Sequence, residues 1–541
     1  MEIVRSNFEA SAPTIENAMK NCDFITIDSE FTGLDLSSDD LCSLFDTPTE
    51  RYAKHRRAVQ AFTLVQVGIG CFKRHAELNK YEASVFNIFV FPVSIGKYNA
   101  AFTSQSSSVE FLCRNRLDFN KVFYEGVPFL NRSSVLSLKS DLQSGLIGHN
   151  EIDVKYFADT CQLLTEWLSR AEPGHTIEID AQSLGTGPQK WIFEYELLRT
   201  FSNHVRIKGS DNVKIAIERC SIEAIDQARV QEQEALLGKI TKQFTGCAVL
   251  FDMLISAKKP LVGQNLLLDL MYFYEKFYET LPEKYETFKS QLRVLLPEIY
   301  DTKQIVAGMR KMLEDRGCKS FSVGGLYKYL ESENATKHIV LFQPYIELAQ
   351  EARRYEASQL LHEAGFDAYA VGVIFIRLAH MQAMSIMPSP SDVPLSYAHH
   401  IDAVRPFSNR INLISASVPH MNLNGTDPTS LRPDWLLVSS RSRFRALDRL
   451  RLVSDLSRFG SFDLKPLSSS KALVAVAAHS TADAMLDHLK TNENYSIRKY
   501  NLYMRPSSKT RIAMTAVCIT FGVLVCAFTL DALRGRSDFK T

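Results

Sequence analysis

The chain has 541 residues, 45% hydrophobic and 23% charged, the composition of an ordinary globular protein. At about 100–200 residues per domain, this length allows two to four domains and a large buried core. The net charge of +1 excludes a whole-chain basic field for holding nucleic acid, so any basic surface must be local. The ten cysteines show no CxxC pair and no zinc spacing, and read as reduced thiols of a reducing compartment. The N-terminal MEIVRSNFEA lacks an apolar signal-peptide core, so a cytosolic start is expected.

In chain order, the first strand signal is Phe24-Ile25-Thr26-Ile27-Asp28, a short apolar run ending in acids. Helix-like sequence follows around Thr49–Val59. Ala61–Phe72 reads as a buried strand, and Val85–Pro92 as another, ended by its proline. With a helix from Ser106, these suggest an antiparallel start to a mixed sheet, and residues 1–130 form the first part of one domain. Residues 131–245 break the pattern with serine runs, an amphipathic block (Ile152–Leu168) and the segments KWIFEYELLRTF and VKIAIERCSI. They read as a small inserted domain, closed by the charged helix IDQARVQEQEALLGKITKQF. The first domain resumes over 246–400: a helix, Lys-Lys-Pro punctuation, a short strand Leu261–Val262 and a helix from Leu266. A long helix is expected from about Pro344 to His380. A further unit over 428–504 alternates strand, helix, strand, strand.

Ile512–Leu530 contains 19 residues without a charge, nearly enough to cross a hydrocarbon core of about 30 Å. A buried C-terminal helix is the competing reading. The unpunctuated run, with Lys509 and Arg511 before it and Asp531 and Arg534 after, favours a tail anchor that leaves the bulk of the chain in the cytosol. Its modest apolarity and basic flanks fit the mitochondrial outer membrane, with the endoplasmic reticulum as the alternative.

Three elements carry chemistry. Asp28 and Glu30 stand two apart at the end of an apolar strand, so both carboxylates share a face, suited to hard divalent cations. A solvated turn would account for that pair equally well. Asp269 lies four residues past Asn265 among Leu266, Leu267, Leu268 and Leu270. If it faces inward, it needs a partner or a metal; otherwise it lies on the solvent side of an amphipathic helix. His362 and Asp367 are five apart on the expected long helix, which separates them by about 140° and lets a histidine base approach from another side than a metal-binding acid. Taken alone, such a pair is more often structural. LIGHNEID (Leu146–Asp153) offers a competing acid in Asp153, but it is three past Asn150 and no apolar helix follows directly, so Asp269 is preferred.

In order, the acids and histidine resemble the histidine-bearing branch of the DEDD exonuclease superfamily. ITIDSEFTGL, FTLVQVGIG, SSSVEFL, DFNKVFYEGVPFLN, LVGQNLLLD and LHEAGFDAY further resemble the poly(A)-specific ribonuclease (PARN) family. The similarity runs from about Asp23 to Asp367 and continues weakly to about Met504. It implies an α/β fold with an RNase H-like nuclease domain, a mixed sheet flanked by helices. It also implies a small inserted nucleic-acid-binding-like domain and a degenerate RRM-like α+β domain. The implied activity is 3′-to-5′ hydrolysis of RNA to nucleoside 5′-monophosphates. Two Mg²⁺ ions, with Mn²⁺ able to substitute, would be held by Asp28, Glu30, Asp269 and Asp367 at about 3.5–4 Å separation, with His362 as general base. Phe31 and Asn265 would lie near the terminal nucleotide.

The sequence departs from the family in three places. Gln264 replaces the histidine of a Gly-His-Asn. Arg199 and His204 have four residues between them, where the inserted domain's signature has three. The central strands of the last unit lack the aromatic pair that stacks bases. The tail resembles the membrane-anchored branch of the family that trims PIWI-bound piRNA precursors beside a Tudor-domain mitochondrial scaffold. Poly(A) removal from mRNA and a non-catalytic small-RNA scaffold are the alternatives.

Overall fold

The computed structural model describes residues 1–146, 153–184, 187–201, 204–221, 226–332, 342–356, 360–387, 393–442 and 446–500. The uncharged run Ile512–Leu530 lies outside the described residues. Two compact units divide the chain. One is Met1–Cys42 with Asp46–Thr429; the other is Ser43–Phe45 with the chain from Ser430 onward.

The larger unit is built on a mixed sheet. The strand β1 (Glu2–Ile3) is followed by β2 (Phe24–Phe31), β3 (Leu64–His75) and β4 (Lys80–Phe89). β2, β3 and β4 pair antiparallel in sequence, and β1 lies parallel to β4. The hairpin between β3 and β4 extends past the apolar runs to His75 and Lys80, because the ladder continues where side chains are solvated. Between β2 and β3, Thr47 and Glu50 cap each other's backbone N–H groups and Pro48 opens the helix Pro48–Ala61, which takes up Ala61 and delays β3 to Leu64.

Residues between β4 and the return of the sheet include β5 (Thr176–Asp180), β6 (Val205–Ser210) and β7 (Lys214–Arg219), a three-stranded antiparallel sheet in the order β5-β7-β6. Helices Arg132–Ser144, Val154–Leu168, Pro188–Thr200 and Asp226–Thr245 accompany it. Its core has its own apolar cluster around Leu138, Leu164, Phe193 and Ile217. Arg199 pairs with Glu196 at 2.7 Å. Asp153 is the N-cap of Val154–Leu168 and accepts from the N–H groups of Lys155 and Tyr156.

The main sheet resumes with β8 (Leu261–Gly263), parallel to β2, and β9 (Ile299–Asp301), parallel to β8. β10 (Tyr345–Leu348) pairs parallel with the outer edge of β4. The expected helix from Pro344 to His380 is therefore replaced by this strand, a 3₁₀ turn at Gln350–Tyr355 and a helix that begins only at Ala364 and runs to Ile386. The segment is rich in good helix formers, but pairing with β4 overrides propensity at its start. Ala364–Ile386 is long and apolar enough to cross a membrane, yet it is mostly buried, packed between the sheet and neighbouring helices, and is a core helix. The unit closes with β11 (Arg410–Asn412) and β12 (His420–Asn422), an antiparallel hairpin.

The second unit contains β13 (Leu436–Ser440), β14 (Phe462–Pro466), β15 (Lys471–Val476) and β16 (Tyr495–Lys499) in the order β14-β15-β13-β16, all antiparallel. Helix Arg449–Ser457 lies between β13 and β14, and His479–Lys490 between β15 and β16; that last helix and strand were not anticipated from sequence. One sheet face, with Leu436, Val438, Val474 and Val476, joins Leu452, Leu456 and Met485 in the core. The other carries Leu437, Leu473 and Ala475, aliphatic residues packed with Phe45 and flanked by Leu44 and Trp435.

Candidate active site

β2 is buried through Ile27 and then carries Asp28-Ser29-Glu30 before ending at Phe31. Thr26, Asp28 and Glu30 alternate onto one face. Thr26 marks which one, since its hydroxyl donates at 2.7 Å to the carbonyl of Ala368 on the helix Ala364–Ile386. That helix is set against β3 and β4 by close fit and by buried amides. A Cβ on Gly68 would stand 1.8 Å from the Ala364 carbonyl oxygen. The helix has no side-chain N-cap of its own; Gln66 Oε1 accepts from the N–H of Ala364 at 2.9 Å, and Asn87 Oδ1 from that of Gly365 at 3.0 Å. Two polar residues inside the apolar, buried stretches of β3 and β4 thus take over orphan donors of the first helical turn. Asp367, one turn in, is thereby brought to Glu30 and His362; ligand atoms of these three lie within 4.8 Å of one another.

Asp269 arrives from the other side. The short strand β8 leads into the helix Leu267–Phe273, and Asp269 in its first turn is 7% exposed. Its Oδ1 accepts from the hydroxyl of Ser29, which alternates onto the face opposite Asp28 and Glu30. Asp269 faces inward, so of the two sequence readings the partnered one holds.

Four carboxylates crowd together, and among the described residues no cationic side chain acts on them. Burial, then the charges of Asp367, Asp269 and Glu30, push Asp28 well above the carboxylate range. Burial and the same two aspartates do likewise to Glu30. Burial lifts Asp269 and Asp367 to about 7 each. Asp367 Oδ2 accepts from the N–H of His362 at 3.1 Å, while its buried Oδ1 meets no donor among the described residues. An unpartnered buried carboxylate oxygen amid three more acids is the donor set a hard divalent cation requires.

His362 is not on the helix. It stands two residues before Ala364 with φ of +68°, is exposed, and its ring meets the edge of Phe111 at 4.8 Å. The separation of 140° expected for a helix is replaced by a left-handed turn, so that the main chain of His362 reaches Asp367 and its ring reaches the same pocket. Partial desolvation of the ring lowers its pKa, which favours the neutral imidazole. Phe31 stacks on Tyr272 with ring centroids 4.3 Å apart. Asn265 lies in the turn after β8, its N–H bonded to Asp301 at 3.0 Å. Gln264 is buried and accepts from the Thr302 hydroxyl at 3.1 Å.

Sequence reasoning missed Ser29, Gln66, Asn87, Phe111, Asp301 and Asn412. The signal for Gln66 and Asn87 was a polar residue inside an apolar run, and for Asp301 an acid closing one. Phe111 and Asn412 carried none.

Comparison with known proteins adds four findings. Residues 3–375 match the CAF1 family of ribonucleases. Over 544 residues the chain is 28% identical to the poly(A)-specific ribonuclease PNLDC1 of Mus musculus, covering 98% of this chain and 99% of that one. It is 29% identical to the pre-piRNA 3′-exonuclease trimmer of Bombyx mori (97% of each chain), and 28% identical to the poly(A)-specific ribonuclease PARN of Xenopus laevis (93% of this chain, 81% of that one).

Proposed function

The chain belongs to the CAF1 family of ribonucleases, with an RNase H-like mixed α/β nuclease fold, and from that premise we propose that it is a cation-dependent 3′-to-5′ exoribonuclease that trims PIWI-bound piRNA precursors. The observation that carries this reading is the meeting of Asp28, Glu30, Asp269 and Asp367, drawn from three distant segments, around a buried carboxylate oxygen without a donor among the described residues.

Asp28, Glu30, Asp269 and Asp367 would hold two Mg²⁺ ions, for which Mn²⁺ can substitute. Bound there, the ions supply activation of water and stabilisation of the leaving oxygen. The protein's own groups do the rest. Neutral His362, exposed beside Glu30 and Asp367, takes the proton of the attacking water at a ring nitrogen. Ser29 holds Asp269 in place. Phe31, backed by Tyr272, offers a ring for the terminal base, and Asn265 a polar contact.

Trimming of piRNA precursors has in its favour the alignment with the Bombyx mori trimmer along nearly the whole chain. The 19-residue uncharged run Ile512–Leu530 supports a tail anchor on a membrane; the proposal takes the mitochondrial surface as its setting and a Tudor-domain scaffold as the partner that delivers RNA. A net charge of +1 suits an enzyme that is handed its substrate. A second reading, removal of poly(A), has in its favour the alignment with PNLDC1 of Mus musculus.

The test is 5′-labelled RNA with Mg²⁺, of mixed sequence and of oligo(A), with and without a 3′-terminal 2′-O-methyl group. A ladder shortening from the 3′ end, lost in Asp28→Ala and blocked by the methyl group, supports the trimmer. Strong dependence on adenosine favours the second reading. An Asp28→Ala protein that trims at the unsubstituted rate refutes both.

A further inference from the structure

Asn265, placed beside the terminal nucleotide by the reading above, has an amide whose orientation is dictated from behind. It occupies the turn after β8 with φ of +59°, a left-handed conformation that asparagine tolerates better than most residues. The N–H groups of Asn265 and Leu266 donate to the two oxygens of Asp301, at 3.0 and 3.2 Å. Asp301, fully buried at the end of β9, also accepts from the N–H groups of Lys303 at 3.0 Å and Asn412 at 2.9 Å. One carboxylate therefore ties the turn that carries Asn265 to β11, which carries Asn412.

Between the side chains runs a directed series of donors. It starts at the backbone carbonyl of Pro419, which can only accept. Gln304 Nε2 donates to that carbonyl at 3.3 Å and to Asn412 Oδ1 at 2.9 Å. The Gln304 amide cannot turn over without setting its own oxygen against both acceptors. With Asn412 Oδ1 so engaged, Asn412 Nδ2 faces Asn265 and donates to its Oδ1 at 2.8 Å. The Asn265 oxygen is occupied, and its NH₂ is the end left to meet a ligand.

We propose that Pro419, Gln304 and Asn412 fix the Asn265 amide as a hydrogen-bond donor, so that the site selects an acceptor atom on the 3′-terminal nucleotide. Gln304 and Asn412 are positioning residues, acting through Asn265. The inference rests on the exonuclease reading of the site.

The full chain is assayed on 5′-labelled RNA with Mg²⁺ as the unsubstituted protein, Asn412→Asp, Asn265→Gly and the double variant, with folding followed by melting temperature. Glycine keeps the positive φ. An aspartate at 412 still accepts from Gln304 but can only accept from Asn265, so the Asn265 amide turns over and presents its oxygen. The expected result is a KM raised about tenfold, equal to about 1.4 kcal/mol, with kcat changed by less than about threefold, the pattern of a lost binding contact. In the Asn265→Gly background, Asn412→Asp adds nothing further to KM. An equal rise in both backgrounds shows that the new charge acts on the RNA directly and overturns the proposal, as does an unchanged KM in Asn412→Asp. Where Asn412→Asp fails to fold, Gln304→Glu reverses the same series from its other end and is read by the same cycle. Repeating the cycle with RNA ending in an abasic nucleotide separates the sources of the acceptor: a persistent effect assigns it to the sugar and phosphate, a vanished one to the base, and either supports the proposal. If the unsubstituted chain does not shorten RNA at all, the exonuclease reading fails and this inference with it; shortening with additive effects sinks this inference alone.

Discussion

The backbone N–H of His362 donates to Oδ2 of Asp367 at 3.1 Å, so the residue suited to move protons and a residue suited to hold metal are joined through the main chain. Replacing the ring should then separate the two roles. His362→Asn keeps the N–H and tolerates φ of +68°. It is expected to lower kcat by about 10²–10⁴, the usual weight of general-base catalysis, with the Mg²⁺ concentration for half-maximal activity unchanged. Burial holds the imidazole below its ordinary 6.5, and the neutral form is the active one. With Mg²⁺ saturating at every pH, so that protonation of the metal-binding carboxyls does not limit the rate, the rate should therefore fall only on the acid side of that value, and this limb should be absent from His362→Asn. A variant with full kcat would remove His362 from the chemistry.

The raised carboxylates make stability without cations depend on pH in a definite direction. Asp269 and Asp367 titrate at about 7 in the folded chain, against about 3.9 when unfolded. Between these values the folded chain holds protons that the unfolded chain has released, so stability is greatest below the unfolded pKa and falls as pH rises toward 7. In EDTA the melting temperature should drop between pH 5 and pH 7.5. Mg²⁺ should restore it, and by more at the higher pH, where ligands need not lose protons to bind. Asp269→Asn should raise the melting temperature in EDTA at pH 7.5 while abolishing activity. A melting temperature in EDTA that rises over this range contradicts the electrostatic account.

Gly68 is where the sheet and the core helix touch. An added Cβ would meet the Ala364 carbonyl oxygen at 1.8 Å and the Gly365 nitrogen at 2.6 Å, both backbone atoms that cannot swing aside. Gly68→Ala should lower stability by about 1–3 kcal/mol through overpacking. It should also shift the helix start, and with it His362 and Asp367. The urea midpoint measures the first effect and kcat the second. Unchanged values for both would mean that the contact is looser than described.

How much of this was legible in sequence follows the range of each interaction. Asp28 and Glu30 were readable because strand alternation is local. Asp269 and Asp367 were readable only as members of an ordered set, since nothing near them in sequence brings them to β2. The helix from Pro344 was misread because Glu, Ala, Arg and Leu propensities outweighed an edge pairing of Tyr345–Leu348 with Lys80–Ala83 that no local pattern announces. His362 was misplaced for the same reason, and its positive φ has no sequence signature beyond the glycine three residues on. Gln66 and Asn87 stood in plain view inside apolar strands, but their task, capping a helix nearly 300 residues away in sequence, requires the tertiary fold to be seen.

Ser29 offers a last test, because it holds an acid from the face of β2 opposite the other two. Its hydroxyl donates to Asp269 Oδ1 and so opposes the upward push of burial on that carboxyl. Ser29→Ala removes the donor and should raise the Asp269 pKa further above about 7, so that a larger share of Asp269 is protonated near neutrality. A protonated carboxyl binds a divalent cation poorly. The Mg²⁺ concentration for half-maximal activity should therefore rise, and by more at pH 6.5 than at pH 8.5, where the carboxyl ionises in either protein. Ser29→Thr, which keeps the hydroxyl, should stay close to the unsubstituted enzyme. An equal Mg²⁺ shift at both pH values would mean that Ser29 orients Asp269 without governing its charge.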